Sequence, residues 1–254
     1  MRKVFLTIIF TFALLALTPF AICAEKKESK GVARTEIETK DGFTLVGDFY
    51  PSRVKDKKMP LVILLHSFAG KSTDWGPLQQ MIVERGYNVF ALDLRGHGRS
   101  VYTSDLKYRT YKHFKSTTWT KLPEDTLEVI NHLKDTYSKV DYSKIILIGA
   151  DLGANTAVLA GNKLKPMPLK MVLISPSKSF KGLYIPIVIS NFPRTPMLTL
   201  ASDSDKHFAS QAKILSRFIQ SAQMLKLYPQ GGSGTILLKR NPVAYGDIVK
   251  FIYQ

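Results

Sequence analysis

Residues 148–155 read IGADLGAN. The apolar run Ile145 to Ile148 has the length and composition of a buried strand, and it ends on Gly149. Small residues follow in an order that suits a helix. Asp151 stands between Gly149 and Gly153, at the tip of the reversal. Glycine at both points lets a strand bend sharply into a helix while the two backbones approach closely. A turn of this kind belongs in a parallel sheet covered by helices.

The rest of the chain fits that frame. ARTEIETKDGFTLVGDFYP (33–51) reads as two strands turning at Asp41-Gly42. The short apolar runs LVILL (61–65), VFAL (89–92), IILI (145–148), MVLI (171–174), MLTLA (197–201) and MLKLY (224–228) then suit strands buried on both faces. Helical segments separate them. PLQQMIVERG opens on Pro77 and stops at Gly86, with Leu78, Met81 and Ile82 on one face. PEDTLEVINHLK has two acids in its first turn and Thr126, Val129, Ile130 and Leu133 as an inward stripe. HFASQAKILSRFI (207–219) and NPVAYGDIVKFI (241–252) repeat the pattern. The expected fold is a doubly wound α/β sheet, mostly parallel, with two added N-terminal strands.

Of 254 residues, 45% are hydrophobic, enough for one packed domain over 33–254. Residues 1–24 read as a signal peptide: Arg2 and Lys3, then VFLTIIFTFALLAL, then small residues in AICA. An uncleaved membrane anchor and lipid attachment at Cys23 are the alternatives. Residues 25–32 read as a polar linker. Cys23 is the only cysteine, so a cleaved, exported domain has no thiol nucleophile, thiolate metal site or disulfide. The net charge of +16 suits an anionic membrane or cell-wall surface, but the basic residues are scattered and no nucleic-acid motif is present. A solvated basic surface is the plainer reading. No cofactor or metal motif is found, and oligomeric state is left open.

In open parallel sheets functional groups gather at the carboxyl ends of strands. Four such ends carry signals: LLHSFAGKSTDW after the first parallel strand, LDLRGHGRS after the next, the IGADLGAN turn, and the distal pair LASDSDKH and YPQGGSGTILLKRNP. Together they resemble the α/β-hydrolase superfamily, especially its small lid-poor esterases and dienelactone-hydrolase-like members, from about Val46 to the C-terminus. The resemblance places Asp151 at the nucleophile position, where a serine usually stands. It gives the oxyanion N–H groups to Phe68 and Leu152 and the acid position to Asp205, with Asp203 as a substitute. Aligned on Gly232 and Gly234, it puts Ser233 where the family carries its histidine. Asp93, Arg95, Gly96 and Gly98 match an architectural turn, and His66 and His97 are not triad members.

Aspartate nucleophiles do occur in the superfamily, in haloalkane dehalogenases and epoxide hydrolases, but a histidine must activate the water that cleaves their ester. Ser233 cannot take that proton, and no histidine follows His207. The segment 177–194 is too short and Pro-punctuated for a full cap. The reading is therefore an exported α/β-hydrolase-like scaffold, catalytically impaired, with a ligand-binding or structural role. Asp151, Asp205 and Ser233 would then suit a cation or a basic group of a small ligand. One alternative is an active hydrolase of esters, epoxides or halides using Asp151, which would need His207 to swing into the cleft. Another is an envelope protein binding anionic surfaces. Residues 101–121 read as a surface connection or a partial flap.

Overall fold

The computed structural model describes residues 31–254. The leader, Cys23 and most of the polar linker lie outside the described residues. The main strands are β1 (Ala33–Glu38), β2 (Phe43–Tyr50), β3 (Met59–Leu65), β4 (Asn88–Asp93), β5 (Val140–Ala150), β6 (Lys170–Ile174), β7 (Met197–Ser202) and β8 (Gln223–Tyr228). They lie in the order β1-β2-β4-β3-β5-β6-β7-β8. β1 and β2 run antiparallel to each other, β2 runs antiparallel to β4, and all later pairs are parallel.

Side-chain alternation along the strands divides the core in two. Leu61, Ile63 and Leu65 of β3 face α2 (Leu122–Thr136) and α3 (Leu152–Gly161). Val62 and Leu64, between them, face α1 (Leu78–Glu84), α5 (Gly234–Arg240) and α6 (Val243–Tyr253). α4 (Lys206–Ser216) adds Leu215 to the first layer. The expected α/β-hydrolase topology is therefore present.

Three expectations change in detail. β8 is not buried on both faces: it is the sheet edge, and Gln223 and Met224 are exposed. β5 begins at Val140, five residues before its apolar run, because Met59 and Pro60 offer backbone pairing to Val140 and Asp141 ahead of a bulge. Residues 101–121 do more than connect. Tyr102–Thr103 adds a short strand to β2, and Trp119 is buried. Apolar side chains spaced without helical or strand period hid this role.

After β6 the chain makes a small hairpin, Ser179–Phe180 against Leu183–Tyr184, and one 3-10 turn at Val188–Asn191. That is the whole cap. Asn155 of α3 anchors it, its Nδ2 donating to the carbonyls of Ser177 (2.9 Å) and Leu183 (2.8 Å) while its Oδ1 accepts from the Ser177 N–H (3.2 Å). Among the described residues no helix is long and apolar enough to cross a membrane.

Candidate active site

Pairing of Leu65 with Gly149, Ala150 with Ile174, and Leu200 with Ile174 brings the strand ends level. Asp151 follows β5 at φ 55° and ψ −112°, left-handed backbone that a non-glycine residue adopts only under strain. Its own N–H holds it there by donating to the Ile174 carbonyl at 2.8 Å. A side chain at Gly153 would overlap the Leu65 carbonyl, and one at Gly149 would overlap the Gly153 carbonyl. Both glycines are therefore steric requirements of the bend.

The Asp151 carboxylate points toward the two amides assigned to the oxyanion. The Phe68 N–H donates to its Oδ2 at 3.3 Å. Oδ1 is buried and has no hydrogen-bond partner among the described residues. Burial pushes the carboxyl up to about 7; the N–H groups of Phe68 and Leu152 oppose this, and the Asp205 charge adds to it.

Asp205 caps α4, its Oδ1 accepting from the Phe208 N–H at 3.3 Å. Asp203 turns away to Lys213 at 3.7 Å. Ser233 occupies the N-cap position of α5 but makes no capping bond with its side chain. The residue wedged against the bend at Asp151 (the elbow between β5 and α3) is its neighbour: a β-carbon on Gly234 would stand 3.4 Å from that of Asp151 and would overlap the Ser67 hydroxyl. Gly234 is pinned there, its N–H donating to Ser175 Oγ while the Thr235 N–H donates to Ser67 Oγ, each at 2.9 Å. Ser67 and Ser175 thus shape the site; Ser67 lies in the LLHSFAGKSTDW turn, whereas Ser175 lies in no motif that marks it.

All five histidines lie among the described residues, and none bonds to Asp151. His66 is fully buried and committed at both nitrogens: Nε2 accepts from the Leu94 N–H (2.9 Å), so Nδ1 donates to the Ser67 carbonyl (2.7 Å). His97 donates from Nδ1 to the Arg95 carbonyl (2.9 Å) and stacks on Tyr111 at 4.4 Å. Burial first, and then neighbouring His66, push it down to about 4. His207 is exposed in the first turn of α4, and His113 is exposed within residues 101–121. His132 is half-buried on α2.

The LDLRGHGRS turn is a scaffold of ion pairs. Asp93 accepts from the Ser72 N–H (2.6 Å) and from Arg99 Nε (2.7 Å), while Arg95 is buried between Asp41 and Asp125. Gly98 has no side chain because one would overlap Asp93. An aromatic wall roofs the other side of the elbow. The rings of Trp119 and Phe180 each lie 5.8 Å from that of Phe68, and Tyr111 lies 5.2 Å from it. Three segments distant in sequence supply this wall, so no local pattern announces it. Among the described residues no group of three or more His, Cys, Asp or Glu is placed to hold a metal.

Solved structures share the whole fold. A thermostable carboxyl esterase from Bacillus coagulans superimposes with a TM-score of 0.71 at 14% identity, covering 88% of this chain and 98% of its own. A dienelactone hydrolase from Anabaena variabilis gives 0.64 at 12%, covering 87% and 94%. In sequence, a putative esterase/lipase of Haemophilus influenzae is 27% identical over 118 residues, 46% of this chain and 34% of that protein. Human epoxide hydrolase 4 is 31% identical over 120 residues, 47% of this chain and 29% of its own. The chain thus spans about a third of the length of the curated relatives it matches. The family described as serine aminopeptidase, S33, matches residues 56–221, well over half the sequence, and this chain belongs to that family within the α/β-hydrolase fold.

Proposed function

We propose that this esterase/lipase-like chain does not turn over esters and that its cleft binds a ligand or serves as a scaffold. One observation carries the reading: a carboxylate rests against the amide that would stabilise an oxyanion, with no imidazole bonded to it. An ionised Asp151 repels a developing oxyanion at the same place. Ser233 offers a hydroxyl where a base is required. The unpartnered, buried Oδ1 of Asp151 would instead accept from a ligand that donates, such as an amine, with Asp205 adding negative charge nearby. Export is part of the proposal and rests on the composition of residues 1–24.

The test compares wild type with Asp151→Ser/Ser233→His on short p-nitrophenyl esters. Activity created from none supports an intact scaffold lacking only its reactive groups. Ester turnover by wild type overturns the reading. Calorimetry with short alkylamines tests the ligand class, and absence of binding removes it.

A second reading has its own support. The Phe68 amide also suits a carboxylate that attacks carbon, and one relative carries the name epoxide hydrolase. In that step an Asp151 oxygen bonds to the epoxide carbon, the ring C–O bond breaks, and the alkoxide takes a proton from water. The enzyme ester must then be hydrolysed. Mass spectrometry separates the readings. A single lasting adduct on Asp151 fits the first; repeated turnover lost in Asp151→Asn fits the second.

A further inference from the structure

Two excursions leave the sheet at the elbow end, residues 102–121 after β4 and residues 175–194 after β6. They meet over Phe68, where Trp119 and Phe180 pack and the Lys181 ammonium stands 4.9 Å above the ring. These inner side chains fix both excursions to the body. Their outer side chains point away from it: Leu106 is 81% exposed and Ile187 is 71% exposed. Tyr102, Tyr108 and Tyr184 are exposed beside them.

Leu106 is held at the tip of a closed turn. The Leu106 N–H donates to the Thr103 carbonyl (2.8 Å), the Thr103 N–H donates to the Lys107 carbonyl (3.1 Å), and Tyr102 bridges to Tyr108. The Tyr102 and Tyr108 rings lie 5.5 Å apart beneath it. The turn therefore presents the leucine to water. The two stretches also carry eight Lys and Arg against one acid, Asp105; Lys107 pairs with that acid at 2.7 Å and Lys121 pairs with Asp41 of the body, which leaves six.

We propose that this end of the molecule docks on an anionic lipid bilayer, with Leu106 and Ile187 entering the acyl boundary and the surrounding Lys and Arg meeting headgroups. Aliphatic tips belong below the headgroups, tyrosines at their level, and long cationic side chains reach back to the phosphates. A nucleic acid would satisfy the charge but leave both aliphatic tips in water. The proposal goes beyond the reading of the cleft and uses none of the chemistry of Asp151.

The experiment uses the intact chain with Cys23→Ser, carrying in turn Leu106→Cys, Ile187→Cys or Met224→Cys labelled with an environment-sensitive dye. Met224 is an exposed control where β8 starts, at the opposite end of the sheet. Phosphatidylglycerol vesicles should shift the dye to the blue at 106 and 187 but not at 224. Phosphatidylcholine vesicles should do neither, and about 0.5 M salt should weaken the effect. In unlabelled protein, Leu106→Ser/Ile187→Ser should lower binding to anionic vesicles about tenfold or more with an unchanged circular dichroism spectrum. Equal shifts at all three sites, vesicle binding without a shift at either tip, or tight duplex DNA binding that survives the double substitution would overturn the proposal.

Discussion

The Phe68 N–H donates to the Asp151 carboxylate at 3.3 Å, so the side chain at the bend occupies the hydrogen-bonding position of that amide. That single contact sets how the site responds to protons, to substitution and to reagents.

Stability should depend on the Asp151 proton. The folded group titrates near 7, pushed up chiefly by burial, whereas an unfolded aspartate titrates near its ordinary 3.8. Between those values the folded state holds a proton that the unfolded state releases. Stability from this group is therefore full below about 4 and falls with rising pH until it is lost above about 7. Asp151→Asn should be more stable than wild type at pH 8, by roughly 4 kcal/mol at most, and should converge with it near pH 4. Urea unfolding from pH 4 to 8 measures this; equal pH slopes would refute it.

Asp205→Asn should keep the cap of α4, since asparagine accepts the Phe208 N–H as aspartate does. It removes a charge that raises Asp151, so the Asp151 titration should move to lower pH. Carboxyl carbon chemical shifts followed by NMR give the midpoint in both proteins.

Gly153→Ala should be among the most damaging single changes. Its methyl group would overlap the Leu65 carbonyl, which is backbone and cannot rotate aside. A loss of about 3 kcal/mol or more, or failure to fold, is expected from overpacking at a point with no slack. Chemical denaturation, or soluble yield, reports the outcome.

Asn155→Leu should loosen the cap while sparing the sheet. It leaves the Ser177 and Leu183 carbonyls and the Ser177 N–H without their side-chain partner inside the protein. A loss of roughly 2–4 kcal/mol follows from unpaired buried groups. Hydrogen exchange should rise across residues 177–184 before it rises in β5.

The sheet was legible because its signals are local. Apolar runs of strand length, Pro77 and Gly86 around one helix, and Gly149 and Gly153 around the bend each report on their own neighbourhood. The bend at Asp151 is legible for the same reason, whereas the roles given to Phe68 and Leu152 come from the family resemblance. The roof over the site was not legible, since Phe68, Tyr111, Trp119 and Phe180 meet only after the chain has folded. Nor did the sequence reveal that Gly234, beside Ser233, touches the elbow through Ser67 and Ser175. The exposed face of β8 followed from its place at the edge, which its apolar composition does not encode.

The acid at the bend also governs how the protein would register in a cell-wide survey. Fluorophosphonate tags capture hydrolases by bonding to an activated hydroxyl, and position 151 supplies none. Such tags would leave position 151 unlabelled, whereas diazoalkane reagents, which esterify protonated carboxyls, would suit a group that keeps its proton close to neutrality.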